Sequence, residues 1–316
     1  MLFINEELYA QAYLIHNQIG QNRITDMELV ELLIAFINNP NKTPLDKKII
    51  KNQNSNQLLE NLYKYKGNLH INEGQFTEAV QSFKQAIQTA YIPNSIFSNT
   101  LQTCYNCTES SMMTDSVYLA KSFDFIPQHM SNYDLAQVLV KLDAMGKDTK
   151  HWKGQLAHYL LGNFYNNISN TGYYRGKLWG EHNCCDYYYI KDSWMNNYSD
   201  PHSYPNNITY YNNSPSLYYS LAINAKMYYQ TVLKTSNNIE LKARTTFLLA
   251  QCEWNDIENN NREITYHDYN RSNISFNSHE YDTYKTLFDS LNSTYKNTKF
   301  HTQIIKECSY FRLYTQ

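Results

Sequence analysis

The sequence predicts an all-α fold built from antiparallel helical hairpins, and three observations lead there. Apolar residues recur at spacings of three and four along most of the chain, the period of a helix with one buried face, rather than at the spacing of two that marks a strand. The runs are broken at Gly20, Asn39-Pro40, Gly74 and Gly146, residue types that end helices. Setting the 30 Tyr aside from the 42% hydrophobic fraction leaves roughly a third of the chain as other apolar side chains, an ordinary supply for a packed core.

Taken in order, the first helix lines Leu8, Tyr9, Ala12, Tyr13, Ile15 and Ile19 along one side and closes at Gly20. A second begins at Thr25 or Asp26, either of which offers an N-cap oxygen, runs through Leu29, Val30, Leu32, Leu33 and Phe36, and stops at Asn38-Asn39-Pro40. Residues 40–56 read as a polar connector. From Gln57 a helix, a break at Gly74-Gln75 and a second helix form a clear hairpin. A weaker hairpin follows, with Ile96, Phe97, Thr100, Leu101 and Cys104 on one helix and Val117, Tyr118, Ala120, Lys121 and Phe123 on the other. Asp134 to Met145 and Gln155 to Phe164 continue the series. Residues 166–215 then interrupt it with a tract rich in Tyr, Asn, Gly and Ser. Helices resume over Leu217 to Leu233 and Leu241 to Trp254, and Tyr281 to Tyr310 holds two more.

In the clear hairpin, Tyr63, Gly67, Gly74, Ala79, Phe83 and Ala86 stand at the spacings of a tetratricopeptide repeat, which the segment resembles. Gly67 and Ala79 are small where two helix axes cross, and Phe83 and Ala86 lie about one turn apart on the buried face. Lys66 and His70 depart from the repeat's usual leucine and tyrosine. Leu161, Gly162 and Tyr165 return to the first-helix spacing, and Ala225, Tyr229 and Val232 to the second-helix spacing, so the intervening tract reads as an insertion within a repeat. The resemblance implies a right-handed alpha solenoid of such hairpins, because single repeats cannot bury both faces and must stack. The expected organisation is an N-terminal helical pair and connector over residues 1–56, repeats over 57–165, the Tyr/Asn-rich insertion over 166–215, and C-terminal repeats over 216–316.

Charge and composition exclude some functions. Lys and Arg total 27 against 29 Asp and Glu, a formal charge of −2, so no global field gathers polyanions and a nucleic-acid partner is not expected. The longest apolar run, Leu29 to Ile37, contains Glu31 and falls well short of the roughly 20 residues of a membrane span. The N-terminus carries Glu6 and Glu7 and no basic stretch ahead of its apolar residues, unlike a secretory signal, which favours the cytoplasm, or an extracytoplasmic place if Met1 is not the natural start. The six cysteines fit no disulfide framework of the small secreted kind.

Candidate sites fall into three groups. On the first helix of the clear hairpin, Asn61, Lys64 and Asn68 share a stripe opposite Tyr63 and Gly67 and should face a concave groove. In some tetratricopeptide domains, Lys and Asn at such positions clamp a peptide's terminal carboxylate, and Lys64 with Asn68 resembles part of that arrangement. Ser95, Asn99 and Gln102 stand where further partners would be expected. The insertion presents Tyr173, Tyr174, Trp179, Tyr187, Tyr188, Tyr189, Trp194, Tyr210 and Tyr211, rings with polar tips of the kind that pack an insertion, anchor protein interfaces or line sugar sites.

Metal chemistry has weaker support. His182, Cys184, Cys185 and Asp186, with Glu181 and His202 nearby, form the densest set of potential ligands, although adjacent cysteines hold one metal poorly. Cys104 and Cys107 lack a second pair. His151 and His158, two helical turns apart, read as surface or core histidines. No phosphate loop, nucleophile elbow or paired catalytic carboxylates appear. The sequence therefore reads as a non-catalytic scaffold with no cofactor that binds a protein or peptide. A metal protein or enzyme centred on His182, Cys184, Cys185 and Asp186 is the alternative, and a self-assembling structural subunit the third reading.

Overall fold

A computed structural model describes residues 8–16, 26–51, 55–86, 91–98, 122–169, 217–264 and 282–315, together with Gly172, Tyr174 and Leu178. The described chain is predominantly helical. Its helices are α1 (Tyr9–His16), α2 (Met27–Asn38), α3 (Pro44–Lys51), α4 (Ser55–Asn72), α5 (Phe76–Phe83), α6 (Asn132–Gly146), α7 (Trp152–Ile168), α8 (Leu217–Thr235), α9 (Ile239–Ile264), α10 (Asp282–Ser293), α11 (Lys299–Glu307) and α12 (Ser309–Tyr314). Two short strands, β1 (Ile92–Pro93) and β2 (His129–Met130), pair with each other, and a 3₁₀ turn spans Asn94–Phe97.

The chain divides into two compact units. One comprises Met1–Ile92, Met130–Gln137 and Gly176–Leu217, and the other Pro93–His129, Val138–Arg175 and Tyr218–Gln316.

In the first unit, α2 starts at Asp26, whose carboxylate accepts the Leu29 N–H at 3.0 Å, and buries Leu29, Val30, Leu33 and Ile37. The expected connector contains α3. Pro44 occupies its first turn, the Thr43 N–H donates to Asp46 Oδ2 at 2.9 Å, and the Asp46 N–H donates to Thr43 Oγ1 at 3.2 Å. The hairpin of α4 and α5 forms as the spacing predicts. The Gly74 N–H donates to Ile71 O and the Gln75 N–H to His70 O, with Gly74 at φ 72°, the paired bonds and left-handed residue of a Schellman cap.

At the α4–α5 crossing a Cβ on Gly67 would stand 2.5 Å from Phe83 Cε1, so only glycine lets the helices approach this closely. The two departures from the repeat pattern have partners. Lys66 Nζ reaches Glu31 Oε1 of α2 at 2.8 Å, and His70 Nδ1 meets Gln75 Oε1 at 2.6 Å.

In the second unit, α7 is buried almost all round, from Gly154 to Ile168. It packs antiparallel to α8, with Gln155 Nε2 donating to the Thr235 carbonyl at one end and a Cβ on Gly162 falling 2.4 Å from Tyr229 Cε1 nearer the other. Ala225, Tyr229 and Val232 are wholly buried. Gly162 with Tyr229 therefore repeats the relation of Gly67 with Phe83, on helices separated by the long tract. The helix expected through Ile96 and Phe97 is instead the 3₁₀ turn, and both side chains are buried. Phe123 lies outside any helix; Thr100, Leu101, Cys104, Cys107 and 117–121 lie outside the described residues.

Further on, Lys226 of α8 bridges two carboxylates of α9, at 2.8 Å from Glu253 Oε2 and in contact with Asp256. The C-terminal helices close around Phe247, Tyr284, Phe288, Phe300 and Phe311, and the Glu240 carboxylate caps the start of α11 through the Lys299 and Phe300 N–H groups at 2.7 and 3.1 Å.

Candidate functional site

The expected stripe on α4 runs from half-exposed to fully interior. Asn61 and Lys64 are half-buried, whereas Asn68 is completely buried. Asn68 Nδ2 donates to the main-chain carbonyl of Leu178 at 2.5 Å, across 110 residues of sequence, and Leu178 is itself wholly buried. The other amide atom, Asn68 Oδ1, is buried with no hydrogen-bond partner among the described residues. Asn72, one turn on, is buried as well. The structure thus brings one of the three stripe residues onto main chain and leaves Asn61 and Lys64 on the flank.

Helix α7 carries the same arrangement more completely. Asn163 Nδ2 donates to Phe97 O at 2.9 Å, and Asn167 Nδ2 donates to both Ile96 O and Ser98 O at 2.8 Å. Asn163 Oδ1 accepts the Tyr229 hydroxyl at 3.0 Å, and the Asn167 carbonyl accepts the Tyr174 N–H at 2.8 Å. These bonds are internal, where each buried carbonyl needs a donor and a carboxamide can supply one without burying a charge.

Sequence reasoning selected Asn68 and passed over Asn72, Asn163 and Asn167. The signal was present: Gly67-Asn68-Leu-His-Ile-Asn72 and Gly162-Asn163-Phe-Tyr-Asn-Asn167 share a glycine, an asparagine beside it and a second asparagine one turn later. The glycine brings the packing helix close, and the two asparagines lie on one neighbouring face.

Of the aromatic candidates, Tyr174 is buried at 8% exposure, and its hydroxyl contacts Ser95 Oγ, so it serves packing. Tyr173, Trp179, Tyr187, Tyr188, Tyr189, Trp194, Tyr210 and Tyr211 lie outside the described residues, as do His182, Cys184, Cys185 and Asp186. Among the described residues no group of three or more His, Cys, Asp or Glu side chains is placed to hold a metal ion.

The titratable groups of α7 and α8 are set by burial. Burial raises the Tyr165 phenol well above its usual range and that of Tyr228 to about 12, and their rings stack at 5.8 Å. His158 Nε2 donates to the Gly146 carbonyl at 2.8 Å, which leaves Nδ1 as the unprotonated nitrogen, buried and without a partner among the described residues. Burial lowers the His158 pKa, against the opposing effects of the Gly146 bond and the Asp143 charge. His151, by contrast, caps α7, its Nδ1 accepting the Lys153 N–H. Cys252 is wholly buried and its thiol pushed far up, which leaves it a packing group rather than a nucleophile.

A surface hollow of about 470 Å³ on the N-terminal helices is lined by Tyr9, Gln11, Leu32, Ala35, Phe36 and Asn39. No helix among the described residues is long and apolar enough to cross a membrane. No protein-family model, curated protein or solved structure matches this chain.

Proposed function

We propose that this protein is a non-catalytic scaffold of tetratricopeptide-like hairpins, stacked as a right-handed solenoid, that holds a protein or peptide through the polar face of α4. The observation that carries the reading is the buried Asn68 amide donating to a main-chain carbonyl, with Lys64 and Asn61 on the flank of the same stripe. A side-chain amide on a rigid helix recognises the backbone of an extended chain whatever its sequence, and a neighbouring lysine favours segments bearing a carboxylate. The recurrence of small-residue crossings at Gly67 with Phe83 and at Gly162 with Tyr229 supports a repeated hairpin.

The test is affinity capture from native lysate by the intact chain, by Asn61→Ala/Lys64→Ala, and by a form deleted for residues 180–213, followed by mass spectrometry. A stoichiometric protein retained by the intact chain and lost with Asn61→Ala/Lys64→Ala is the expected result. Identical capture by all three folded forms would overturn the assignment of α4 as the binding face.

A further inference from the structure

Three helix-to-helix turns of the second unit meet at one end. The turn between α6 and α7 touches the turn between α8 and α9 through Gln155 Nε2, which donates to Thr149 O and to Thr235 O at 3.1 Å each. The start of α9 in turn meets the start of α11 through Glu240, whose carboxylate takes the Lys299 and Phe300 N–H groups. Over residues 143–153, 234–242 and 294–299 this end holds seven lysines against three acidic residues, a local cationic excess in a chain whose net charge is −2.

The needs of the fold do not account for that excess. Lys147 follows α6 and Lys234 closes α8, where a cation suits the carbonyl end of a helix. Lys153, Lys242 and Lys299 instead lie in the first turns of α7, α9 and α11, where the helix dipole opposes a positive charge. Lys299 is exposed and the other two are half-buried. Side chains in a first turn lean toward the helix N-terminus, so these three project from the same end. Trp152 and Ile239, the first residues of α7 and α9, lean the same way. Each is 53% exposed, and Lys153 Nζ stands 5.6 Å from the Trp152 ring centre.

We propose that this end of the second unit is a docking surface for an anionic lipid bilayer, with the lysines meeting the headgroups and Trp152 and Ile239 entering the boundary between headgroups and acyl chains. Residue type selects that partner. The cations are all lysines, point charges on long flexible stems that suit a lateral field of mobile headgroups. A fixed carboxylate or phosphate is better held by the arginine fork, which these three turns lack. Tryptophan is favoured at headgroup depth, and an exposed isoleucine gains from acyl chains what a sugar–phosphate backbone does not offer. The proposal concerns the second unit and does not rest on the reading of α4.

The test is flotation of the intact chain with vesicles of phosphatidylcholine alone and with vesicles in which about a third of the lipid is phosphatidylserine. At low salt the protein should partition onto the anionic vesicles about tenfold or more above the neutral ones, and salt at about 0.5 M should reverse most of that gain. Lys153→Gln/Lys242→Gln/Lys299→Gln should weaken anionic binding about tenfold. Its urea midpoint should stay level or rise, because a cation has been removed from each of those helix N-termini. Trp152→Ser/Ile239→Ser should weaken binding several-fold and leave its salt dependence in place.

Equal partition onto both kinds of vesicle would overturn the proposal, as would a lysine variant that loses stability and keeps its vesicle binding. Vesicle binding unchanged in both variants would overturn it too. A labelled single-stranded RNA or glutamate peptide that the intact chain binds while ignoring the vesicles would replace the bilayer with that polyanion.

Discussion

Replacing Gly162 by alanine tests the close approach that joins α7 to α8. A Cβ there would lie 2.4 Å from Tyr229 Cε1 and 2.6 Å from Cδ1, about 1 Å inside ordinary contact. The ring has no easy way to yield. Tyr229 is wholly buried, and its hydroxyl donates to Asn163 Oδ1 at 3.0 Å, so a ring displacement also strains that bond. Overpacking costs about 1–3 kcal/mol and a weakened internal hydrogen bond about 1 kcal/mol, while alanine returns about 1 kcal/mol of helix propensity. The expected net loss is about 2 kcal/mol. It should appear as a lower urea midpoint at 222 nm and as faster hydrogen exchange of the α7 amides. On a Tyr229→Leu background, where the ring is gone, the same substitution should be neutral or stabilising by up to about 1 kcal/mol. A stabilising Gly162→Ala in the intact protein would refute the packing argument, because propensity alone would then be acting.

Further outcomes follow from other contacts. Asp26→Ala removes the carboxylate that accepts the Leu29 N–H, and should cost about 1 kcal/mol in urea denaturation, with faster exchange confined to the first turn of α2. Lys226→Met leaves Glu253 and Asp256 facing each other without their shared cation; the triad is only partly buried, so the loss should be about 2 kcal/mol, between the surface and buried cases, and Lys226→Met/Glu253→Gln/Asp256→Asn should recover most of it. Burial depresses the His158 pKa in the fold, so the unfolded chain binds a proton first as the pH falls. Its contribution is intact above the unfolded value near 6.5 and is lost as the pH drops through the depressed folded value. His158→Gln should therefore narrow the gap between urea midpoints at pH 7.5 and pH 5.5. His301, also depressed by burial, keeps some of that gap open.

The helical class was legible because periodicity and stop signals agree, most clearly around α4 and α5, where the Gly74 cap and the Gly67–Phe83 crossing were both written locally. Helix α3 was hidden because only Ile49 of its eight residues is buried, so no apolar stripe announced it; the Thr43–Asp46 box with Pro44 was the available sign. The 3₁₀ turn at Asn94–Phe97 read as helix from its apolar pair. Its conformation is held by Asn163 and Asn167, 66 to 71 residues away, which no local window contains. Asn68 was legible as a polar residue on a helix face. Its burial was not, because that depends on Leu178 returning from beyond α5, α6 and α7.

The most direct test of the binding face is site-specific photocrosslinking in native cells, with p-benzoylphenylalanine replacing Lys64 in one form and Ile223, exposed on α8, in another. The account predicts an intermolecular adduct with one other protein from position 64 and none from position 223. Adducts from position 223 alone, or from position 64 only to a second copy of this chain, would contradict it, and the latter would identify a self-assembling subunit instead.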